Sequence, residues 1–508
     1  MKNTTLNTVP RALLLALAAA ALSACTTVGP NFAAPKGLTD AAYRHAAAEP
    51  AQPAAQSIAQ SNEAARLPAE WWTVFNDTTL NGLETRALRD NASVRIAAQR
   101  LLQAQAQLGV TRAGELPTVG VSASVENSRS SAETPLGRTF GRQSITGNTY
   151  QVGANFSWEL DLWGRVRRVV EASDAQALAA QDDRDAVLLL LSGNVANTYW
   201  QLRGLDTEIA ILNDALATRR ESQQLIEARF NAGLSNELDV SRTRIERANA
   251  EADLQEARRQ RNTLEHALAV LVGASPSQPL LAAAAPDAPA ASLVNALPEP
   301  PAIPVGLPAT LLGQRPDLAS SVAQLRALNA QVGVAEGAFY PSLSLTSSFG
   351  FASEDLRNLA QGSARQFAIG PLALSMPVFD AGRNRANLKL AKARYDEAVA
   401  GHEQKLTAAL REVEDALSDV QQRKAQGDAQ DQARVAAERA VVVAQARYDR
   451  GVSTYLDVTD AQRSALQAER AAAQIRTQRL LATVAVARAL GGGWTQGTPL
   501  ATIANAGQ

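Results

Sequence analysis

The chain contains itself twice, and that repetition limits its possible folds more than any single motif does. Gln107-Leu-Gly-Val-Thr-Arg-Ala-Gly-Glu-Leu-Pro117 realigns with Gln331-Val-Gly-Val-Ala-Glu-Gly-Ala-Phe-Tyr-Pro341, a shift of 224 from 107 to 331. Arg229-Phe-Asn-Ala-Gly233-Leu-Ser-Asn-Glu-Leu-Asp239-Val240 realigns with Arg447-Tyr-Asp-Arg-Gly451-Val-Ser-Thr-Tyr-Leu-Asp457-Val458, a shift of 218 from 229 to 447. Gly164-Arg165 and Gly382-Arg383 share the shift of 218. Three landmarks in one order at nearly one spacing define a tandem duplication, with repeats at 71–273 and 311–493. Residues 274–310, rich in Pro and Ala, read as a linker, and a tail occupies 494–508. The linker and the loose, polar stretch 36–70 are expected to wrap the outside of the main body.

Each repeat carries two stretches of strict alternation, the pattern of a strand with unlike faces. Val119, Val121, Ala123 and Val125 alternate with Thr118, Gly120, Ser122 and Ser124. Tyr150, Val152, Ala154, Phe156, Trp158 and Leu160 alternate with Gln151, Gly153, Asn155, Ser157 and Glu159. The second repeat sets Leu343, Leu345 and Phe349 against Ser342, Ser344, Thr346 and Ser348. Its last strand begins with Phe367 and Ile369 and then changes phase to Leu372, Leu374 and Met376. Pro371 stands at the change, which predicts a bulge. The strands are expected at about 116–126, 149–160, 341–351 and 366–378. Two-faced strands of this kind suit a membrane barrel with a wet lumen or a soluble sheet with one buried face. Four strands do not close a barrel, because single-chain barrels start at about 8. A barrel would therefore need several chains.

A long proline-free helical pattern follows each strand pair, at about 166–230 and 384–448. In the second, Leu388, Tyr395, Val399, Leu406, Leu410, Val413, Leu417 and Val420 recur at three, four and seven residues. About 65 residues at 1.5 Å each make a rod near 100 Å, which needs a coiled-coil or bundle setting. The polar stretch 421–434 with Gly427 interrupts the apolar stripe, which fits a change of packing partner. Each long helix ends at the Gly233 or Gly451 turn, and a shorter helix follows. Gly491-Gly492-Gly493 reads as a helix stop.

Charge and composition exclude several functions. The formal charge is −1, and it falls to −3 if the first 24 residues, with Lys2 and Arg11 and no acid, are removed. That is no footprint for nucleic acid. His45, His266 and His402 are scattered without metal-ligand spacing, and no phosphate loop, nucleophile elbow or dinucleotide fingerprint is present. No catalytic residue, metal site or cofactor is predicted. The N-terminus reads as a signal peptide over 1–24, with a positive start, an apolar run from Ala12 to Ala21, and Leu22-Ser23-Ala24-Cys25. That sequence matches the bacterial lipobox, so Cys25, the only cysteine, is the expected lipid attachment point. Thr26 follows it, not the Asp that favours inner-membrane retention. No later segment is apolar enough for a transmembrane helix; Leu188 to Leu191 is a short run soon interrupted by Asn194, so a mature chain that crosses a membrane must use strands. Asp457 and Asp460 lie three apart on one face of a helix start. They serve either as helix-capping acids or, in a symmetric oligomer, as rings of carboxylate around an axis.

The lipobox, Cys25-Thr-Thr-Val-Gly-Pro-Asn-Phe32, the two strand-pair repeats, the long helices and the paired Gly…Leu-Asp-Val turns together resemble the TolC/NodT outer membrane factor family. The Val28-Gly-Pro-Asn-Phe32 stretch and Pro35 look most like the lipoprotein branch of tripartite, RND-type efflux pumps. The resemblance covers residues 25 to about 493. It implies a mixed α/β membrane protein: a homotrimer in which each chain gives four strands to a 12-stranded barrel. An α-helical periplasmic barrel with coiled-coil tips would continue it, with 25–70 and 274–310 in an equatorial belt. The implied function is passive conduction of drugs or other small molecules across the outer membrane. The implied partners are a periplasmic adaptor, an inner-membrane RND-type pump and outer-membrane lipid. Carried over by motif, Tyr448 and Asp239 would meet in an interhelical contact, and Leu456, Asp457 and Asp460 would line a periplasmic gate. Arg229, Gly233, Arg447 and Gly451 would form tips that touch the adaptor. Some members have a basic residue two positions after the second turn glycine, where this chain has Ser453. Two rival functions stay open on sequence, a duct for type I protein secretion and a non-pore periplasmic coiled-coil scaffold.

Overall fold

The offset of 218 read in the sequence recurs in the lengths and bounds of the elements. The computed structural model describes residues 27–35, 43–45, 67–139, 141–281, 297–303 and 311–494. After a single turn at Trp71–Phe75 come α1 (Thr78–Asp90), α2 (Ala92–Ala113), β1 (Thr118–Arg129) and β2 (Thr146–Leu160). Then follow α3 (Arg165–Asn231), α4 (Glu237–Leu271), α5 (Pro316–Gly337), β3 (Ser342–Ser353), β4 (Arg365–Ser375), α6 (Arg383–Asp449) and α7 (Tyr455–Ala489). The helices α3 and α6 each have 67 residues, and α4 and α7 each have 35. Every boundary of the second pair falls 218 positions after its counterpart, from 165 to 383 and from 237 to 455. Local signals set the ends. Asp77 caps α1 by accepting from the Leu80 amide at 2.9 Å, and Pro316 opens α5 where its missing N–H costs nothing. None of the helices among the described residues is long and apolar enough to cross a membrane.

The four strands form one antiparallel sheet in the order β1-β2-β3-β4. Opposed residues share a face, so the ladder sorts the alternation into two surfaces. One holds Val121, Ala154, Phe349 and Phe367 in a single row; the other holds Ser122, Gly153 and Gly350. On β4 the ladder passes from Leu345–Leu372 to Ser347–Ile369, so Gly370 and Pro371 together oppose Thr346. This is the bulge expected at Pro371. Its extra residue returns Leu372 and Leu374 to the face already held by Phe367 and Ile369. The apolar face is bare within the chain: Val121 is 80% exposed and Ile369 83%.

The chain divides into two compact units. The first contains Leu101–Ala180, Ser321–Gly401 and the described residues up to Pro35, and so carries the whole sheet. There Arg168, 3% exposed, holds the segment after the lipobox. It donates to the Val28 and Gly29 carbonyls at 3.1 Å each and to Asn31 Oδ1 at 3.0 Å, and pairs with Glu171 at 2.6 Å. Asn329 adds a bond to the Pro30 carbonyl at 2.9 Å. Gly29 is at a φ of +96°, and a Cβ there would run into the Gly333 Cα.

The second unit is the helical one. Its main core gathers Trp71, Trp72, Phe75, Leu80, Trp200, Leu268 and Leu480. A second cluster joins Leu318, Leu406, Val413, Val486 and Leu490. Further clusters lie at Leu212–Leu254 and at Ile226–Val240–Tyr455–Val458. Gly204 lets α7 come close to α3, because a Cβ there would overlap the Thr477 side chain.

Several expected boundaries change. The strands extend to Arg129 and begin at Thr146, rows beyond the apolar pattern, because the ladder needs only backbone groups. Asn127 and Asn148 also bond across it at 2.7 Å. β4 stops at Ser375, not near 378, since Pro377 has no N–H to donate. The expected outer wrap is partly core. Tyr43 and Leu297 are buried, and Glu299 pairs with Arg476 and Arg479. The stripe interruption does not break α6, and Gly427 is buried against Arg479 and Ile475. Cys25 lies outside the described residues.

Candidate functional site

The two Gly turns have one geometry. Gly233 and Gly451 both sit at a φ of +72°, the left-handed region that glycine enters most easily. Leu234 N–H bonds back to Arg229 C=O at 2.8 Å and Gly233 N–H to Phe230 C=O at 2.9 Å. Val452 and Gly451 repeat this onto Arg447 and Tyr448 at 3.0 and 2.8 Å. These paired bonds satisfy the last carbonyls of each long helix and reverse the chain.

Behind the turns, Tyr448 and Asp239 do not meet within the chain, contrary to the expectation. Asp239 is held at the start of its own helix. Its amide donates to Asn236 Oδ1 at 2.9 Å, and Asn236 Nδ2 donates back to its carboxylate at 3.0 Å. This reciprocal cap uses the acid that the contact would need. Tyr448 is taken instead by Arg229, whose Nη1 donates to the phenol oxygen at 2.7 Å. The guanidinium carbon lies 4.9 Å from the ring centroid. On its other side, Tyr448 meets Tyr455 edge-on at 5.4 Å.

Leu456, Asp457 and Asp460 follow on the first turns of α7, and all three are exposed. Asp460 pairs with Arg463 at 3.4 Å. Arg463 also reaches Glu246 on α4 at 2.5 Å, and Glu246 takes Arg219 of α3 at 3.3 Å. One buried-edge carboxylate thus joins three helices. Burial draws the Arg219 guanidinium below its ordinary pKa even though Glu246 stands beside it. Farther along, Arg470 of α7 bridges Glu208 and Asp253 at 2.6 and 3.2 Å. A groove of about 630 Å³ runs between α6 and α7, lined by Arg439, Val443, Arg447, Ser453 and Asp457. The Ser453 hydroxyl is buried there without a partner. Among the described residues no group of three or more His, Cys, Asp or Glu is arranged to hold a metal ion.

The Glu246 network was not foreseen, yet the sequence holds its signal. Arg229–Tyr448, Glu246–Arg463 and Asp253–Arg470 are separated by 219, 217 and 217 residues. Each of these separations lies within one position of the 218 offset, so that offset is also a contact rule.

A four-stranded sheet with one bare apolar face, each strand pair followed by a 67-residue helix, defines a class of mixed proteins that join strands to very long helices. A family model described as "Outer membrane efflux protein" matches residues 83–274 and 307–492, and the chain belongs to that family. It is 35% identical over 456 residues to the outer membrane protein OprJ of Pseudomonas aeruginosa, covering 89% of this chain and 92% of the relative. It is 34% identical over 424 residues to the toluene efflux pump outer membrane protein TtgI of Pseudomonas putida, covering 83% and 87%. Among solved structures, the CmeC outer membrane channel of Campylobacter jejuni matches with a TM-score of 0.84 at 28% identity, over 94% of this chain and 97% of that one.

Proposed function

We propose that the chain is the outer-membrane channel subunit of a tripartite efflux system, conducting small molecules delivered by an inner-membrane pump and a periplasmic adaptor. The observation that carries this is the sheet, which has two open edges, one bare apolar face and one polar face. Three copies joined β1 to β4 would close a 12-stranded barrel with the polar face around water. The apolar band supports this by its size. From Tyr150 to Leu160 it runs roughly 34 Å at about 3.4 Å per residue. A barrel tilt of about 40° makes that roughly 25 Å of height, the apolar band of outer-membrane barrels. Trp158, Trp163 and Tyr340 stand at its helical end, where interfacial aromatics belong. The indole N–H groups of Trp158 and Trp163 bond to the Glu115 and Pro341 carbonyls at 3.0 and 2.8 Å. The tandem duplication is supported by the matched helix lengths.

In this proposal Cys25 carries the lipid anchor. Leu456, Asp457 and Asp460 from three copies line the closed periplasmic gate, while Arg229, Gly233, Arg447 and Gly451 are the tips met by the adaptor. Clustered aspartates in such a ring attract cations. The Arg229–Tyr448 contact ties α6 to α3 and the Glu246–Arg463 contact ties α7 to α4, and adaptor docking opens the gate by separating them. Single-channel conductance in a planar bilayer tests this. The native trimer should give a small, cation-selective conductance that rises and loses selectivity in Asp457→Ala/Asp460→Ala. Well-folded trimers of both forms without channel activity would overturn the channel in favour of the scaffold.

A further inference from the structure

We propose that Arg129 and Arg365 bind phosphate-bearing lipid headgroups of the outer leaflet. The four strands contain two cations, Arg129 and Arg365, and two carboxylates, Glu126 and Glu159. The ladder separates them by sign. Arg129 opposes Thr146 and lies in step with Val121 and Val125; Arg365 opposes Phe351 and lies in step with Phe367 and Ile369. Both arginines are therefore on the apolar face. Glu126 opposes Thr149, in step with Gln151 and Glu159, on the polar face.

Both arginines are also at the loop end of the sheet, since Arg129 closes β1 and Arg365 opens β4. The opposite end bears the helices and receives the N-terminal segment, where Val28 N–H bonds to Trp163 C=O at 2.9 Å, three residues after Cys25. A lipid anchor at that end marks it as periplasmic and puts the loop end outside. A guanidinium on the lipid face is costly at the bilayer midplane and tolerated at the interface. There it has a natural ligand, because its planar fork matches phosphate oxygens.

Neither arginine is paired with a carboxylate among the described residues. Arg129 Nε and Nη2 both donate to Ser144 Oγ, at 3.1 and 3.0 Å, which fixes the fork and leaves Nη1 free among the described residues. Arg365 is exposed and has no side-chain partner among them. The apolar neighbours decide the ligand. An anion seated at Arg365, beside Phe351 and Phe367, must bring acyl chains with it, which a free phosphate lacks; at Arg129 the Asn127–Asn148 row comes first, and the apolar band begins beyond it at Val125 and Tyr150. The assignment rests on the outer-membrane channel proposal, in which β1 and β4 form the join between copies, so the headgroups flank that join.

Native mass spectrometry of the full-length protein in detergent, titrated with bisphosphorylated lipid A and with its dephosphorylated form, tests the assignment. The native trimer should prefer the bisphosphorylated lipid at least tenfold. Arg129→Gln/Arg365→Gln trimers should bind both lipids alike, with each single variant intermediate. Arg138→Gln/Arg142→Gln, which removes the same charge from the loop, should keep the preference. A native trimer without preference, a double variant that keeps it, or a loop variant that loses it would overturn the assignment. So would displacement of the lipid by millimolar inorganic phosphate. Conductance of the same preparation reports separately on the channel.

Discussion

Arg229 and Tyr448 show how one hydrogen bond redirects an expectation. A tyrosine hydroxyl beside a turn can bond an aspartate or an arginine, and the nearer partner wins. Asp239 is engaged by Asn236, so the guanidinium of Arg229 takes the phenol. Arg229→Ala and Tyr448→Phe should therefore raise single-channel conductance to a similar extent. Asp239→Ala should leave conductance near the native value and lower thermal stability by roughly 0.3–1 kcal/mol, the usual worth of an acid in the first turn of a helix, because the Asn236 cap still holds the residue 239 amide. Equal opening by all three variants would restore the Tyr448–Asp239 latch.

Buried acids give a second test at this scale. Asp182 is 1% exposed with an unpartnered Oδ2, and burial, followed by Asp185 and Asp183, pushes its pKa up to about 7. Glu84, with neither carboxylate oxygen bonded, is raised well above its ordinary value by burial alone. An acid with a raised folded pKa binds more protons folded than unfolded, so its contribution is complete below the unfolded pKa and is lost as pH rises. For Asp182 that window runs from about pH 4 to about pH 7. Asp182→Asn should flatten the fall in melting temperature across this window, with its gain over the native chain largest above pH 7. An unchanged slope would mean that Asp182 ionises freely in the folded protein.

At the scale of elements, the sequence was most informative where the pattern was long. The expected spans of α3 and α6 miss by one residue at each end, because 67 residues without proline leave helix little competition. The expected spans of β1, β2 and β3 fall short at the loop end, whereas that of β4 runs past Ser375. Alternation ends where the apolar band ends, whereas backbone pairing continues into polar rows such as Asn127–Asn148. The Glu246 and Arg470 bridges need a step that periodicity does not supply, namely that helices related by the 218 offset pack side by side. Tyr43 and Leu297 were hidden for another reason: single apolar residues in loose segments have no period to reveal them. The bulge on β4 makes a sharp prediction. Deleting Gly370 removes the extra residue, so the halves of β4 on either side can no longer share the apolar face. Heat-resistant oligomers on gels should be lost, while the helical circular dichroism of the chain remains.

For the whole molecule, two open edges make assembly part of folding. An isolated copy exposes unpaired backbone along β1 and β4, a template for association that closed barrels abolish. The detergent-purified protein should therefore run at the mass of three copies, without a stable monomer on dilution. A stable monomer with intact strand signal would refute the 12-stranded closure.

The Arg168 clasp carries a consequence for timing. Its guest, Val28 to Asn31, is made long before its host is complete. Its host needs Arg168 and also Asn329 and Gly333, the latter two almost 300 positions later. A ribosome adding about 5–20 residues per second finishes that host tens of seconds after the guest. Through that interval the front of the chain has no berth. Its docking then works as a receipt, issued only when Arg168 and the Asn329–Gly333 segment have both arrived and found each other.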